Sequence, residues 1–224
     1  MSKIEIPNIS EPVSDYFLNL SNIKGKNKSK FNDIIEMIEN EILKGKVLFK
    51  EENKKIIFSQ NEINEEFELA VTSSMVSEIA PIVAYLKYIV TNDTNPELHL
   101  PYSKQNSKGS GLLFIEEPEA HLHPEIQVKL MEIFTKLVGK NLKIILTSHS
   151  NYMFNKLSNL ILDNKINFNK IGSYIMRNTK EGSVTDAITM KAEADGINDE
   201  NFADVAEQLY EERIKIYDKL NKTS

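Results

Sequence analysis

The 224-residue sequence contains no cysteine. This absence excludes disulfide bonds, thiolate metal sites and a cysteine nucleophile, and it agrees with a protein of the reducing cytoplasm. No apolar run approaches the roughly 18 residues that a membrane-spanning helix needs. The N-terminal MSKIEIPNIS also lacks the basic and apolar regions of a signal peptide. We therefore predict a cytoplasmic protein with no membrane segment.

The sequence also has fewer basic than acidic residues. Lys and Arg number 27 against 33 Asp and Glu, which gives a net charge of -6. A surface broadly suited to nucleic acid is therefore not expected. The one local basic stretch, IKGKNKSK, is typical of a solvated loop. Nucleic-acid binding thus stays open but has no support from the charge.

The hydrophobic pattern alternates between helix-like and strand-like periods and shows no internal repeat, which indicates an α/β domain. It predicts a short helix in ISEPVSDYFLNL and a longer one over residues 31–43 that stops at Gly45. Three short β runs, KVLFK, KIIFSQ and EFELAV, predict an antiparallel meander. A further helix is expected from Met75 to Val90 despite Pro81, and a polar loop follows it.

The most informative stretch alternates buried strands with helices: LLFIE, a helix over 124–138, LKIILTS, and a helix over 151–160. Strands that are apolar along their whole length are typical of a parallel sheet covered on both faces. After it, IGSYIMRN and SVTDAITMK predict a hairpin, and an amphipathic helix ends the sequence. For that helix, packing is the first interpretation and partner docking the second.

Polar side chains follow both predicted parallel strands. Glu116 and Glu117 end the first strand, and Ser148 and His149 follow the second. Ligands of open α/β sheets bind beyond these carboxyl ends. One acid can hold a hydrated Mg²⁺ ion while the other faces a water molecule, as nucleotide hydrolysis requires.

Two other interpretations remain for this region. An acidic pair after a strand is usually a solvated turn, and HLHP is usually a helix start with Pro124 in its first turn. A zinc site from His121, His123 and an acid is the other, although alternate residues of an extended segment point to opposite sides.

These residues also carry a family resemblance. LLFIEEPEAHLHP resembles the Walker B and D-loop region of ABC-type ATPases, in the AAA-class branch of the overcoming-lysogenisation-defect proteins. ILTSHSNYM resembles that branch's switch-histidine strand, and TSSMVSEIAPIVAYL resembles its signature helix. The three motifs stand in the family's order over roughly residues 71–161, which makes the match much more specific than any single motif.

The resemblance implies ATP and Mg²⁺ as ligands and assigns roles by position. Glu116 would bind Mg²⁺ through water, Glu117 would be the general base, and His149 would be the switch histidine. The loop from Glu119 to Leu122, with His121, would reach the partner subunit and its nucleotide. The signature serines, Ser73 and Ser74, would touch the terminal phosphate of ATP held by the opposite subunit.

The sequence departs from the family at three points. Glu116 stands where Asp is usual, and Met75 stands near a common Gly. The third departure is larger, because no G-x-x-x-x-G-K-[ST] phosphate loop occurs in the sequence. The expected fold is therefore a partial P-loop NTPase, with a parallel sheet flanked by helices and a small antiparallel β patch.

The predicted organisation has three parts. Residues 1–70 form N-terminal helices and the β patch, 71–190 the ATPase-like half-domain, and 191–224 a C-terminal helical segment. The predicted function is an ATPase component that works only when a Walker A half or a full-length relative joins it in a homo- or heterodimer. The alternative is a non-catalytic module that binds and modulates such a relative. A nuclease partner is implied only by the resemblance.

Overall fold

The structure is a computed structural model that describes residues 29–63, 65–90, 111–140, 142–180, 182–186, 191–197 and 200–222. The helix predicted in ISEPVSDYFLNL and the polar loop before Gly111 lie outside these residues. The chain divides into two compact units, one ending at His149 and the other starting at Ser150. The three-part division expected from the sequence stays a prediction.

The first unit begins with helix α1 (Asn32–Met37), which continues as a π-helical segment (Ile38–Leu43). The predicted apolar stripe is buried: Phe31, Ile34, Ile35, Ile38 and Ile42. The predicted stop at Gly45 is wrong by one residue, because Lys44 takes the left-handed conformation that ends the helix. Gly45 instead opens the next strand, where an added Cβ would lie 2.4 Å from the Phe58 ring.

The antiparallel meander is confirmed. Its strands are β1 (Gly45–Lys50), β2 (Lys55–Gln60) and β3 (Glu66–Glu68), hydrogen-bonded in that order. Only the first half of EFELAV is strand, and Leu69–Val71 forms a short 3-10 turn that leads to the next helix.

Helix α2 (Ser74–Ala84) continues as a second π-helical segment (Tyr85–Ile89), so the predicted long helix is confirmed. Ser73 caps its start, and Pro81 lies inside it without ending it. The kink or adjustment expected at Pro81 stays a prediction.

A buried carboxylate joins strand β1 to the π-helical segment that continues α2. Glu39 is 2% exposed, and its Oε1 accepts hydrogen bonds from the Val47 N–H and the Lys87 ammonium, both at 2.9 Å. Lys46 lies 3.2 Å from its other oxygen. Since a buried charge is tolerated when it is paired and hydrogen-bonded, this network fixes the π-helical segment that continues α2 against β1.

The predicted parallel strands pair as expected. Strand β4 (Gly111–Glu116), helix α3 (Pro124–Gly139) and strand β5 (Leu142–Thr147) form a parallel βαβ unit. In the register, Leu112 lies opposite Lys143, and Glu116 lies opposite Thr147. The carboxyl ends of both strands therefore lie side by side at the same end of the sheet.

The two faces of this pair differ in burial. Leu113 is buried, whereas Leu112 and Phe114 are each 55% exposed and Ile145 is 52% exposed. The prediction that both faces are covered is therefore wrong for the part of the chain that the structure describes. The physical reason is that the described elements pack on one face only, so the second apolar face is exposed.

The two edges of the pair differ as well. The Tyr85 hydroxyl donates a 3.3 Å hydrogen bond to the Leu112 carbonyl, on the side of β4 that faces away from β5. Burial raises the pKa of the Tyr85 hydroxyl, which keeps it neutral and able to donate. Among the described residues, β5 has no strand on its other side.

The second unit contains helix α4 (Asn151–Leu162), which ends two residues later than predicted, and the predicted hairpin of β6 (Ile175–Thr179) and β7 (Gly182–Asp186). A two-residue pair, β8 (Ala192–Glu193) and β9 (Gly196–Ile197), was not foreseen. The Ile197 N–H donates to the Ser158 hydroxyl of α4, which attaches this pair to the helix. Helix α5 (Glu200–Lys222) completes the described chain. None of the described helices has the length and apolar character to cross a membrane.

Candidate functional site

The carboxyl ends of β4 and β5 bring together the acids and the histidine that the sequence singled out. Glu116 is the last residue of β4, and both it and Glu117 are exposed. The Glu117 N–H donates to the Thr147 carbonyl at 3.0 Å and to the Thr147 hydroxyl at 3.2 Å. The end of β5 therefore fixes the backbone that carries both carboxylates.

Glu117 has a left-handed backbone, with φ of 43°. This conformation costs an ordinary L-residue about 1–2 kcal/mol, so the two hydrogen bonds to Thr147 must hold it there. It turns the chain after the strand, where the Ala120 N–H donates to the Glu117 carbonyl at 2.9 Å. Residues held in such conformations concentrate at functional sites.

Glu117 and His149, the two predicted catalytic residues, are neighbours. The His149 Nε2 lies 3.4 Å from the Glu117 Oε1. The histidine side chain is 87% exposed and the glutamate side chain 51% exposed. A water molecule or a phosphate group therefore has access to both groups.

Glu119 occupies a different environment from the other acids. It is 9% exposed, and its Oε1 accepts hydrogen bonds from the Ser148 hydroxyl at 2.8 Å and from the His149 backbone N–H. Its Oε2 is buried and has no hydrogen-bond partner in the described part of the chain. The carboxylate thus ties the loop after β4 to the residues that follow β5. Its predicted contact with nucleotide stays a prediction.

The two histidines of HLHP have separate positions. His121 is exposed and has a left-handed backbone, with φ of 59°. His123 caps helix α3, where its Nδ1 accepts from the Glu125 N–H at 3.4 Å. Leu122 between them is buried. His123 therefore serves the helix start, and the predicted role of the exposed His121 stays a prediction.

Ser73 and Ser74, the predicted signature serines, lie at the start of α2. Ser73 is the N-cap, and its Oγ accepts from the Val76 N–H at 3.4 Å. Ser73 and Ser74 are both exposed. A helix N-terminus offers unpaired N–H groups and a positive dipole end, which favour phosphate. Among the described residues, no hydrogen bond joins these serines to Glu117 or His149, and their predicted contact with a nucleotide stays a prediction.

The acids fit a hydrated Mg²⁺ ion and not a closed metal centre. Across the described ranges, no three His, Cys, Asp or Glu side chains are grouped closely enough to hold a metal by themselves. Mg²⁺ usually takes one or two carboxylates together with waters and substrate phosphates, and the exposed Glu116 can supply one. The zinc interpretation of His121 and His123 finds no third ligand in this part of the chain.

Sequence reasoning missed the inward position of Glu119 and the contribution of Thr147. The inward position of Glu119 could have been inferred from the polar residues Ser148 and His149, which directly follow β5. Parallel strands that end side by side also bring the loops after them together. Nothing in the sequence pattern indicated that the Thr147 hydroxyl would accept a hydrogen bond from Glu117.

Comparison with known families supplies an independent result. The family described as AAA ATPase domain matches residues 6–154, which is more than half of the chain and includes both strand ends. The match indicates an ATP-binding ATPase. A comparison with curated proteins gives no match.

Proposed function

The chain belongs to the AAA ATPase domain family, and we propose that it supplies the hydrolytic groups of a composite ATPase. The observation that carries this proposal is the 3.4 Å approach of His149 to Glu117 at the shared end of β4 and β5. Glu117 acts as general base, Glu116 holds Mg²⁺ through water, and His149 contacts the terminal phosphate.

ATP hydrolysis depends mainly on a well-positioned carboxylate and does not need a covalent enzyme intermediate. Phosphoryl transfer is accelerated mainly by orientation and electrostatic stabilisation, and a carboxylate orients or deprotonates the attacking water. Bound Mg²⁺ supplies positive charge next to the phosphate oxygens. Glu117 is exposed on a fixed backbone, so its side chain can take a proton from water while the backbone stays in place.

Glu119 is a positioning residue in this proposal. Its Oε1 holds the His149 N–H and the Ser148 hydroxyl, so it determines where the histidine stands relative to Glu117. It does not touch the reacting atoms. Since misplacement of a catalytic group by about 1 Å can cost about a hundredfold in rate, this indirect role has a measurable consequence.

Glu119→Ala is expected to lower the kcat of the assembled ATPase about 10- to 100-fold and to leave KM within about threefold. The alanine removes the acceptor that holds His149, whereas Glu119→Gln keeps an acceptor oxygen and should restore most of the rate. Ser148→Ala removes one donor and should have a smaller effect. Steady-state kinetics on the three variants, with thermal unfolding as a check, measures these effects. Equal losses for Ala and Gln would rule out the acceptor role.

The phosphate-binding loop must come from outside these 224 residues, because their sequence has no G-x-x-x-x-G-K-[ST] motif. That loop provides the backbone N–H groups and the lysine that hold the β- and γ-phosphates. Ser73 and Ser74 would then face the nucleotide held by the other subunit. The proposed ATPase is therefore a composite dimer, in which one subunit supplies the phosphate-binding loop and the other supplies Ser73 and Ser74.

The chain alone is expected to bind Mg-ATP too weakly for saturation at about 1 mM, because its residues orient water and metal and do not cradle phosphate. Calorimetric titration of the purified chain measures this, and addition of an ATPase relative that carries the loop is expected to restore binding. Tight stoichiometric binding to the chain alone would contradict the composite site. Restored binding without any turnover would favour the alternative, a non-catalytic module that modulates its relative.

A further inference from the structure

Gln127, in the first turns of helix α3, carries none of the roles described so far. Its side chain is half-buried, and its Nε2 donates a 2.8 Å hydrogen bond to the Leu122 carbonyl. Helix α3 begins at Pro124, so Leu122 lies outside the helix, in the loop that leaves β4. The bond therefore joins the start of the helix backwards to the loop that carries Glu119.

The bond from Gln127 is the first of a series of contacts. The Leu122 N–H donates to the Glu119 carbonyl at 3.0 Å. The Glu119 Oε1 accepts from the His149 N–H. The His149 Nε2 in turn lies 3.4 Å from the Glu117 Oε1. This contact series, from Gln127 to Glu117, connects helix α3 to the two residues that the proposed mechanism uses.

The loop in the contact series needs support, because parts of its backbone are strained. Glu117 and His121 have left-handed φ values of 43° and 59°. Each such residue costs about 1–2 kcal/mol, so its surroundings must hold it in place. His121 directly precedes Leu122, whose carbonyl is the acceptor for Gln127. Gln127 therefore supports the far end of the loop, as Thr147 supports its start.

A stabilised helix start is the simpler interpretation of the Gln127 bond. The start of α3, however, already has its own cap. The His123 Nδ1 accepts from the Glu125 N–H, and the His123 carbonyl accepts from the Ile126 N–H at 2.8 Å. The unpaired backbone groups of a helix N-terminus are N–H donors, which need acceptors and not a further donor. The direction of the Gln127 bond, from helix to loop, therefore favours a role in the loop.

We infer that Gln127 is a positioning residue, which sets the place of His149 through Leu122 and Glu119. Its amide acts on the loop backbone and not on the reacting atoms. Loss of the donor frees the Leu122 carbonyl, which loosens Glu119 and then His149. This inference about position rests on the contacts themselves, whereas its consequence for the rate rests on the proposed ATPase function.

Gln127→Glu removes the donor, keeps the side-chain length and places an acid near a helix N-terminus, which suits the helix dipole. In the full-length variant, the Leu122 and His149 amides are expected to exchange hydrogen about tenfold faster or more, because both donate to Glu119. The Glu117 amide, which β5 holds, should change less than about twofold. Site-resolved hydrogen exchange without nucleotide measures these amides.

Gln127→Met is the second variant, since it also lacks the donor but adds no charge, and it should act as Gln127→Glu does. Gln208→Glu, at an exposed position of helix α5, is the matched control and should leave the exchange unchanged. Thermal unfolding checks that the variants fold. An effect of Gln127→Glu without one of Gln127→Met would assign the change to the added charge and overturn the inference. Faster exchange confined to the Ile126 amide, or no change in either folded variant, would overturn it as well.

In the assembled ATPase, Gln127→Glu is expected to lower kcat about 5- to 20-fold and to leave KM within about threefold. Combined with Glu119→Ala, it should cost little more than Glu119→Ala alone, because both changes break the same contact series. Losses that multiply independently would overturn the shared series. Faster exchange at His149 with an unchanged kcat would support the positioning of His149 by Gln127 and would instead contradict the proposed part of His149 in hydrolysis.

Discussion

Glu117→Gln is expected to retain nucleotide binding and to lose hydrolysis in the assembled ATPase. The amide keeps the shape of the side chain but cannot take a proton from water. Removal of a general base costs about 10²- to 10⁴-fold in rate, so kcat should fall by that factor while the affinity for Mg-ATP stays within a few-fold. Phosphate release and nucleotide titration, with the loop-carrying relative present, measure the two quantities.

Glu62→Gln is the matched control, since it makes the same chemical change at an exposed turn between β2 and β3. It should leave both quantities unchanged. Near-normal turnover of Glu117→Gln would mean that another group is the base and that the contact between Glu117 and His149 has a structural role only.

The βαβ unit could be predicted because its sequence pattern and its physics agree. The apolar runs of β4 and β5 and the amphipathic helix between them allow only a parallel pair, and the register follows from the position of the polar residues at both strand ends. The antiparallel meander was predictable for a similar reason, since short β runs joined by polar turns pair with their neighbours.

The position of Glu119 could not be predicted in the same way. Three acids stand close together in the sequence, and their pattern does not reveal which one the fold turns inward. That choice depends on the donors after β5, Ser148 and His149, which are distant in sequence. The left-handed backbone of Glu117 could not be predicted either, because glutamate has no preference for that conformation.

The uncovered face of the βαβ unit has a different explanation. Sequence pattern predicts that a strand is buried on both faces, but not which polypeptide buries it. Leu112, Phe114 and Ile145 are apolar and more than half exposed. Parallel strands occur almost only where both faces are covered, so these side chains indicate a covering element beyond the described residues.

Backbone amides at the open edge of β5 are expected to change most when a phosphate-loop half joins the chain. In a parallel ladder the amides alternate between the two sides of a strand. The Glu117 N–H bonds to the Thr147 carbonyl, so the Ile144 and Leu146 amides face the open edge. On assembly their hydrogen exchange should slow about a hundredfold or more, which corresponds to ~3 kcal/mol in opening free energy.

The Ile145 amide is the internal control. It faces β4 in the same ladder, so its exchange should already be slow in the chain alone and should change much less. Site-resolved hydrogen exchange on the free chain and on the assembled ATPase compares the three amides directly. Without the added half, the free chain is expected to self-associate, because an apolar edge with unpaired N–H and C=O groups is a template for pairing.

Strong protection of Ile144 and Leu146 in a monomeric free chain would contradict this prediction. It would mean that another segment of the same chain pairs with β5, so the sheet would be self-contained and would leave no edge for a second half. On the other edge, the Tyr85 hydroxyl already occupies the Leu112 carbonyl of β4, which leaves β5 as the side where an added strand gains hydrogen bonds without displacing a donor. An added strand at β5 would also lie beside Ser148 and His149, where a phosphate held by its loop could reach both His149 and Glu117.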